Sequence, residues 1–263
     1  MSGGAAEAEA VTLVCDVDHT VLHDDASTAR LAGRLAPLRR SGRLRFVLNS
    51  SRFVRSIAAS VRDTPLAEPD FVIGGMGTEI RRWDAGAADV SGLDIGEAWT
   101  ARLGQAFDAA TIDRLIRDAA ADENGFRVHD TDSLSPLKRS FDWPAAAPAA
   151  LDALSAALSD AGQRAKVIYS SNLHCDVIPT DAGKGAAMMF LVEQSCWPAD
   201  RVVACGDSGN DAEMLLAAAH AVAVANAQPE LKRLTSTHLH HATAEAGDGV
   251  WEGLLHHFPE LSL

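Results

Sequence analysis

Two carboxylates follow a short apolar run near the start of the chain. Asp16 and Asp18 come directly after Val11–Cys15 with one residue between them, and the hydroxyl residue Thr20 follows. Alternate side chains of an extended segment share a face, so we expect Asp16 and Asp18 to begin on the same side. Carboxylates this close repel one another unless a proton or a cation lies between them. A hard ion such as Mg2+ would suit the pair and leave one carboxylate free to attack a substrate, which favours a phosphate-handling site. The alternative is a polar turn after a buried strand.

Two other segments carry polar side chains at positions suited to an anion. Ser50 and Ser51 follow the apolar run Phe46–Leu48 and precede a helix-like pattern, where free backbone N–H groups favour negative charge. Either serine could instead simply cap that helix. Lys184 opens an apolar helix, and Gly206–Asp211 (GDSGND) forms a second acidic loop after an apolar strand. These residues are therefore further candidates for a phosphate site.

The segments that carry these residues alternate between strand and helix, which predicts a parallel sheet with crossover helices. Ligands bind such sheets beyond the carboxyl ends of the strands, near the point where the strand order reverses, so the loops can meet. A phosphomonoester needs a nucleophile, an acid for the leaving oxygen, a cation and donors for the equatorial oxygens. These roles are filled in type by Asp16, Asp18, Asp207 with a metal, Ser50 and Lys184.

The alternation breaks in the middle of the chain. From about residue 84 to residue 179 irregular polar stretches surround two helix patterns and several short strand-like segments. The strand and helix alternation then resumes. We therefore predict a discontinuous α/β core, residues 1–83 and 180–263, with an inserted α+β module at residues 84–179.

Composition limits the partners that we expect. A net charge of −13 in 263 residues, without an extended basic run, argues against nucleic acid. No apolar window approaches the roughly 20 residues of a membrane span, and Met1–Ala10 lacks the features of a signal peptide. The four cysteines lack metal-type spacing and are expected to be reduced, buried thiols, so a cytoplasmic location is predicted. Five histidines far from the acidic loops are expected at the surface: His238, His240, His241, His256 and His257.

Four ordered motifs across nearly the whole chain resemble those of the haloacid dehalogenase superfamily: DVDHT, the strand that ends at Ser50, Lys184 at a helix start, and GDSGND. The stretches GGMGTEI, SPLKRSF, YSSNLHCDVIPTDAGKG and VANAQPELK resemble sucrose-phosphate phosphatases and related enzymes. The resemblance implies an α/β, Rossmann-like core with a parallel sheet. It also implies a smaller α+β cap of the second type, inserted between the second and third motifs, where the irregular module lies.

The resemblance implies a role for each core residue. Asp16 would attack phosphorus to form an aspartyl phosphate, and Asp18 would protonate the leaving oxygen and later activate water. Ser50 would donate a hydrogen bond to the phosphoryl group. Lys184 would neutralise the nucleophile and the phosphate.

The implied cofactor is Mg2+, held by carboxylate and carbonyl oxygens. Its expected ligands are the carboxylates of Asp16 and Asp207, the backbone carbonyl of Asp18, and Asp211, with Asn210 supporting the metal or its waters. Further residues are expected to bind the substrate: Ser51, Arg52, Lys138, Asn172, His174, Asp176 and Asn210.

Two positions depart from the commoner pattern of the superfamily. His19 stands where many relatives carry Gly or Asn, and we expect a structural role for it, although it could instead contact the substrate. Ser50-Ser51 replaces the commoner Thr-Gly before Arg52. The serine hydroxyl can still donate a hydrogen bond, but the larger Ser51 leaves the identity of the sugar open.

The expected activity is that of a Mg2+-dependent phosphatase acting on a sugar phosphate, for instance a disaccharide phosphate such as sucrose 6-phosphate. One alternative is a sugar phosphomutase of the phosphomannomutase type, which shares the cap type and the aspartyl phosphate. Another is a catalytically silent sugar-phosphate-binding domain with a regulatory role. The expected partners are the small-molecule sugar phosphate and a sugar-phosphate synthase, with neither nucleic acid nor membrane.

Overall fold

The computed structural model describes residues 9–91, 94–120, 125–129, 136–170 and 172–262. Its strands are β1 (Val11–Cys15), β2 (Leu44–Asn49), β3 (Phe71–Gly74), β4 (Glu79–Asp84), β5 (Asp89–Ser91), β6 (Arg127–Val128), β7 (Arg139–Asp142), β8 (Ala165–Ser170), β9 (His174–Pro179), β10 (Val202–Gly206), β11 (His220–Ala223) and β12 (Leu239–His241). Its α-helices are α1 (Asp25–Arg40), α2 (Val54–Asp63), α3 (Asp94–Leu103), α4 (Ala109–Ala119), α5 (Pro148–Asp160), α6 (Lys184–Gln194), α7 (Ala212–Ala217), α8 (Pro229–Lys232) and α9 (Ala246–His257).

The larger of the two sheets has eight strands in the order β12-β11-β10-β1-β2-β3-β4-β5. Strand β1 lies between β2 and β10 and is parallel to both, with Leu13 in register with Phe46 and Val203. All five residues of β1 are buried, as expected for a strand covered on both faces by helices. From β1 the chain builds one half of the sheet through β2 and β3, and later the other half through β10, β11 and β12. The strand order therefore reverses between β1 and β10, which confirms the predicted α/β fold.

The smaller sheet has four antiparallel strands in the order β6-β7-β9-β8. Its two faces differ in polarity, because successive residues of a strand point to opposite faces of the sheet. Phe141 of β7 and the β9 residues Cys175 and Val177 pack with helices α4 and α5 in a hydrophobic cluster of their own. The neighbouring residues Ser140 and Asp176 lie on the opposite face, which is polar and turned toward the larger sheet.

The boundary of the inserted module differs from the expected one. Residues 89–91, which fall within the predicted insertion, form strand β5 and pair with β4 in the larger sheet. In helix α3, Trp99 and Leu103 are buried in the main hydrophobic core, and the indole nitrogen of Trp99 donates to the Gly77 carbonyl at 2.9 Å. The sheet edge and this helix therefore belong with the core. We propose that the module begins after Leu103 and not at residue 84.

Helix α2 also begins later than the sequence pattern indicates. Its first residue is Val54, and its N-cap residue, Phe53, makes no side-chain capping bond. The Val54 N–H donates instead to the Glu79 carboxylate at 3.0 Å. Ser50 and Ser51 therefore precede the helix and do not cap it.

The cysteines and histidines differ in how well the sequence predicted them. The four cysteines are free thiols, and Cys15, Cys175 and Cys205 are buried as predicted. Cys196 is exposed, so the prediction of burial was wrong for it. Of the five histidines expected at the surface, His241 and His256 are exposed, whereas the other three are partly buried.

Among the helices in the described part of the chain, none has both the length and the apolar character of a membrane span.

Candidate active site

The acidic loops lie at the point where the strand order reverses. Asp16 directly follows β1, Asp207 directly follows the neighbouring β10, and the Asp16 N–H donates to the Cys205 carbonyl at 2.9 Å. The parallel pairing of the two strands thus delivers both carboxylates to the same edge. The Thr20 hydroxyl lies 3.4 Å from a carboxylate oxygen of each. The sequence pattern alone places Thr20 beside the carboxylates but indicates no role for it.

Lys184 joins the carboxylates of Asp16 and Asp211 below the edge of the sheet. Its Nζ atom lies 2.6 Å from Oδ1 of Asp16 and 2.6 Å from Oδ1 of Asp211. The side chains of Lys184, Asp16 and Asp211 are 1%, 7% and 0% exposed. Asn49, at the end of β2, donates through Nδ2 to the Lys184 carbonyl at 2.9 Å. A strand end and a helix start therefore fix this buried ammonium group.

Asp211 is also held by the loop that carries it. Its Oδ2 accepts the backbone N–H groups of Asp207 at 3.0 Å and Ser208 at 3.1 Å. Both of its oxygens are thus occupied by protein donors. Asp211 is placed to orient Lys184 and the loop, and we propose this role for it alongside the predicted one in metal binding.

Burial and mutual repulsion change the protonation of these groups. Burial, together with the nearby Asp211, outweighs Lys184 and raises the pKa of Asp16 to about 8. Burial and Asp211 likewise raise the pKa of Asp207 to about 6. Burial alone would lower the pKa of Lys184, but the carboxylates of Asp16 and Asp211 raise it. If all three carboxyl groups were ionised, they would carry more negative charge than the single ammonium group neutralises, which adds to burial in raising the pKa values of Asp16 and Asp207.

The carboxylates fit a divalent cation. Asp16, Asp207 and Asp211 each offer an oxygen within 4.8 Å of the others, and hard divalent ions favour such oxygen donors. Oδ1 of Asn210 is buried and has no hydrogen-bond partner among the described residues, so a further acceptor is available. A cation here would offset the raised pKa of Asp16 and Asp207 because opposite charge favours the ionised form.

Asp18 lies apart from this buried cluster. Arg52 donates from Nε to Oδ2 of Asp18 at 2.8 Å, and a second guanidinium nitrogen binds the other oxygen. Nη1 of Arg52 also donates to the Ser60 hydroxyl at 2.9 Å. The two side chains are 34% and 39% exposed, so this ion pair borders solvent. Asp18 is therefore accessible to a substrate, as an acid and base must be.

His19 has a left-handed backbone conformation, with φ of 59°. Its carbonyl accepts a hydrogen bond from Nδ2 of Asn226 at 2.7 Å, which ties the turn to the loop after β11. Positive φ is adopted readily by Gly and more often by Asn than by most residues. The residue types that are commoner at this position thus have a backbone explanation, whereas the role of the His19 side chain stays a prediction.

A cavity of about 720 Å³ separates the core loops from the polar face of the smaller sheet. This volume lies within the range of about 300–1,000 Å³ for small-molecule sites. From the core, the predicted residues that line it are Asp16, Asp18, Ser51, Arg52, Asp207 and Asn210. From the smaller sheet, the predicted residues that line it are Lys138, His174 and Asp176.

Four predicted residues do not line this cavity: Lys184, Asp211, Asn172 and Ser50. Asp211 is fully buried and contacts Lys184. Lys184 lies beneath Asp16, and Asn172 lines a smaller neighbouring cavity. Ser50 is fully buried, and its hydroxyl accepts the backbone N–H of Arg52 at 3.2 Å. Ser51, the next residue, lines the cavity in its place.

Lys138 connects the smaller sheet to the core. Its Nζ lies 2.8 Å from the Ser51 carbonyl and 3.1 Å from Oδ2 of Asp176. The Ser140 hydroxyl donates to the other oxygen of Asp176 at 2.6 Å. Lys138 also lies over the ring of Phe53, 5.1 Å from its centroid. The buried ammonium group thus holds the two sides of the cavity together.

Sequence reasoning missed a second charged cluster on the same polar face. Oδ1 of Asp142 lies 2.9 Å from Nε2 of His129 and 2.9 Å from Nδ1 of His174, while Arg127 binds Oδ2 at 3.2 Å. Partial burial alone would raise the pKa of Asp142, but these three partners lower it to about 2. The alternation of polar and apolar residues from 174 to 177 is the signal that could have revealed this face.

An α/β core with paired carboxylates at the reversal of strand order, and an inserted sheet over them, defines the haloacid dehalogenase class of phosphatases. The chain belongs to the sucrose-6F-phosphate phosphohydrolase family of that class, whose family model matches residues 9–258. It is therefore an enzyme, a phosphoric monoester hydrolase. Phosphatases of this class typically require a divalent metal.

Relatives and solved structures agree with this membership. The chain is 36% identical over 247 residues to mannosylfructose-phosphate phosphatase from Agrobacterium fabrum, covering 93% of this chain and 95% of that protein. It is 27% identical to sucrose-phosphatase 2 from Nicotiana tabacum, covering 93% of this chain but 58% of the tobacco protein. The sucrose-phosphatase from Synechocystis, solved with sucrose and phosphate, has the same fold, with a TM-score of 0.81 and 24% sequence identity. The match covers 94% of this chain and 98% of the Synechocystis chain.

Proposed function

We propose that this protein hydrolyses a sugar phosphate in a Mg2+-dependent reaction through an aspartyl phosphate at Asp16. The observation that carries the proposal is the buried contact of Lys184 with Asp16 directly beneath the cavity. The substrate class is supported by the names of relatives that act on mannosylfructose phosphate and sucrose phosphate. We accordingly propose a disaccharide phosphate, such as sucrose 6-phosphate, as the substrate.

The first step forms the bond between Asp16 and phosphorus. Lys184 holds Oδ1 of Asp16, which leaves Oδ2 as the attacking atom. As the new bond forms, the bond between phosphorus and the sugar oxygen breaks, and Asp18 gives its proton to that oxygen. The positive charge of Lys184 offsets the negative charge that develops on the phosphoryl oxygens.

The second step restores the enzyme. Asp18, now ionised, takes a proton from a water molecule, whose oxygen attacks the phosphorus of the aspartyl phosphate. The bond between Asp16 and phosphorus breaks, and inorganic phosphate leaves. Arg52 contacts both oxygens of the ionised Asp18 and thereby orients it to take the proton from water.

Mg2+ would be held by the carboxylates of Asp16 and Asp207 and by the backbone carbonyl of Asp18, with Asp211 and Asn210 beside them. When bound, it supplies positive charge against the phosphoryl oxygens. Donors for the phosphate are Ser50 and Ser51, and for Ser50 this role requires its buried hydroxyl to turn toward the cavity.

The sugar would bind on the cap side of the cavity. The candidates there are Lys138, His174 and Asp176, and Asn172 lies beside a smaller neighbouring cavity. Their polar atoms match the hydroxyl groups of a sugar, whereas the phosphate faces the core. A cytoplasmic location and an association with a sugar-phosphate synthase remain predictions.

The test is phosphate release from a panel of mono- and disaccharide phosphates. We expect release with Mg2+, loss of release with a chelator, and loss of at least about 1,000-fold in kcat for Asp16→Asn. Asp181→Asn is the matched control, because Asp181 is exposed and pairs with Arg164 away from the cavity. Absence of release from the whole panel would overturn the proposal. An isomeric sugar phosphate as product would indicate the phosphomutase instead.

A further inference from the structure

Three side chains on the polar face of the smaller sheet converge on one point. Nε2 of His129 and Nδ1 of His174 both lie 2.9 Å from the same oxygen, Oδ1 of Asp142. One ligand atom from each residue lies within 4.8 Å of the other two. The two imidazole rings are 6.2 Å apart and inclined at 77°.

The register of the sheet accounts for this convergence. Asp142 at the end of β7 pairs directly with His174 at the start of β9 and with Arg127 of β6. His129 is two residues beyond Arg127, so it lies on the same face, and its N–H extends the ladder by donating to the Ser140 carbonyl at 3.1 Å. Strands β7 and β9 thus supply one group each, and the third comes from the residue directly after β6.

We propose that His129, Asp142 and His174 form a site for a transition-metal ion, Zn2+ or a chemically similar divalent ion, that is separate from the Mg2+ site of the core. Two imidazole nitrogens and one carboxylate oxygen are donors that zinc accepts, and three protein ligands leave a fourth position open. The core cluster offers only oxygen donors, which Mg2+ prefers.

The surroundings of the cluster favour this ligand chemistry. Arg127 binds the second oxygen of Asp142, which leaves Oδ1 directed at the histidines and supports the carboxylate from outside the ligand set. The side chains of His129 and His174 are 30% and 51% exposed, so an ion can reach them. Both histidines line the main cavity, so an ion bound to them would lie beside it.

The experiment titrates the metal-free full-length protein with Co2+, which reports on such sites through visible d–d absorption, in the presence of excess Mg2+ at pH 7. We expect one equivalent of Co2+ to give the absorption and Zn2+ to displace it. His129→Ala and His174→Ala are each expected to weaken the affinity by at least about tenfold. Circular dichroism and thermal unfolding verify that the variants are folded.

Two control variants separate this site from the alternatives. Asp207→Asn alters the core carboxylates and is expected to keep the absorption. His241→Ala removes an exposed histidine that contacts the Leu234 carbonyl, and should also leave the absorption unchanged. The proposal is overturned if the unaltered protein gives no absorption, if Asp207→Asn abolishes it, or if the double variant with both cap histidines replaced retains it. These readouts measure metal binding and do not depend on phosphatase activity.

Discussion

The Nζ atom of Lys184 lies 2.6 Å from Oδ1 of Asp16, and both side chains are buried. Removing one partner of a buried ion pair leaves an uncompensated charge, which costs about 3–5 kcal/mol. Lys184→Met keeps the length of the side chain but removes its charge. We expect its free energy of unfolding at pH 7, measured with urea, to fall by about that amount and phosphatase activity to be lost.

The double variant Lys184→Met/Asp16→Asn tests whether this loss comes from the pair. It removes both the ammonium group and one carboxylate, and Asp211 keeps two backbone N–H donors. We expect the double variant to be more stable than Lys184→Met alone, although equally inactive. A loss below about 1 kcal/mol for Lys184→Met would contradict the argument.

The contact of Arg52 with Asp18 predicts an effect on catalysis more than on stability. Arg52→Ala leaves Asp18 without the group that orients it, so kcat/KM should fall by about 10- to 100-fold. The free energy of unfolding should change by less than about 1 kcal/mol, because this ion pair borders solvent. Steady-state kinetics and urea unfolding measure the two effects.

Ser60→Ala is the matched control for Arg52. It removes the hydroxyl that Nη1 of Arg52 contacts but leaves both contacts with Asp18 in place. Its kcat/KM should stay within about threefold of the unaltered enzyme. If Arg52→Ala behaved like this control, the proposed orienting role would have to be abandoned.

Sequence patterns predicted the position of the core residues because strand ends in a parallel sheet are constrained. Once β1 and β10 are recognised as neighbours, Asp16 and Asp207 must lie at one edge. The pattern does not determine which partner each side chain binds. Asp18 binds Arg52, 34 positions along the chain, and Asp211 is held by Lys184 and two backbone N–H groups.

The inserted module was harder to predict because its strands are short and pair across long sequence separations. His129, Asp142 and His174 belong to one cluster only because β6, β7 and β9 are neighbours in the smaller sheet. Likewise, the placement of Trp99 in the main core follows from packing against β4, which a helix pattern alone does not reveal. Local periodicity identifies the elements and leaves their partners open.

We expect substitution of Lys138 to affect the kinetics of large substrates more than those of small ones. It joins Asp176 on the cap side to the Ser51 carbonyl on the core side. Lys138→Met removes this connection and a donor for sugar hydroxyls, so KM for a disaccharide phosphate should rise by about tenfold or more. A small phosphate ester such as p-nitrophenyl phosphate does not reach the cap face, and its kcat/KM should change by less than about threefold.

This comparison distinguishes the binding of sugar from a general loss of structure. A misfolded variant would lose activity toward both substrates, whereas loss of a sugar contact affects only the disaccharide phosphate. Arg164→Ala serves as a control, since Arg164 is an exposed residue of the same module that pairs with Asp181. Equal changes in kcat/KM for both substrates in Lys138→Met would argue against a role in sugar binding.

We expect Glu252, which lies far from the active site, to make a pH-dependent contribution to the free energy of unfolding. Partial burial alone would raise its pKa, but the N–H groups of Thr243 and Ala244, with His240 and the Thr243 hydroxyl, lower it from 4.5 to about 2. A carboxyl group whose pKa is lower in the folded state stabilises the protein fully above its ordinary pKa. That contribution is lost as the pH falls from about 4.5 through about 2.

Glu252→Gln should therefore lower the free energy of unfolding at pH 7 by about 1–3 kcal/mol, because the amide removes the charge that the N–H groups stabilise. The deficit relative to the unaltered protein should shrink below about pH 4.5, where the unaltered protein loses the same advantage. Urea unfolding at pH 7, 4 and 3 measures it. Glu260→Gln, at an exposed pair with Arg201, should cost less than about 0.5 kcal/mol. A deficit for Glu252→Gln that stayed constant over this pH range would mean that lost packing, and not the ionised carboxylate, is responsible.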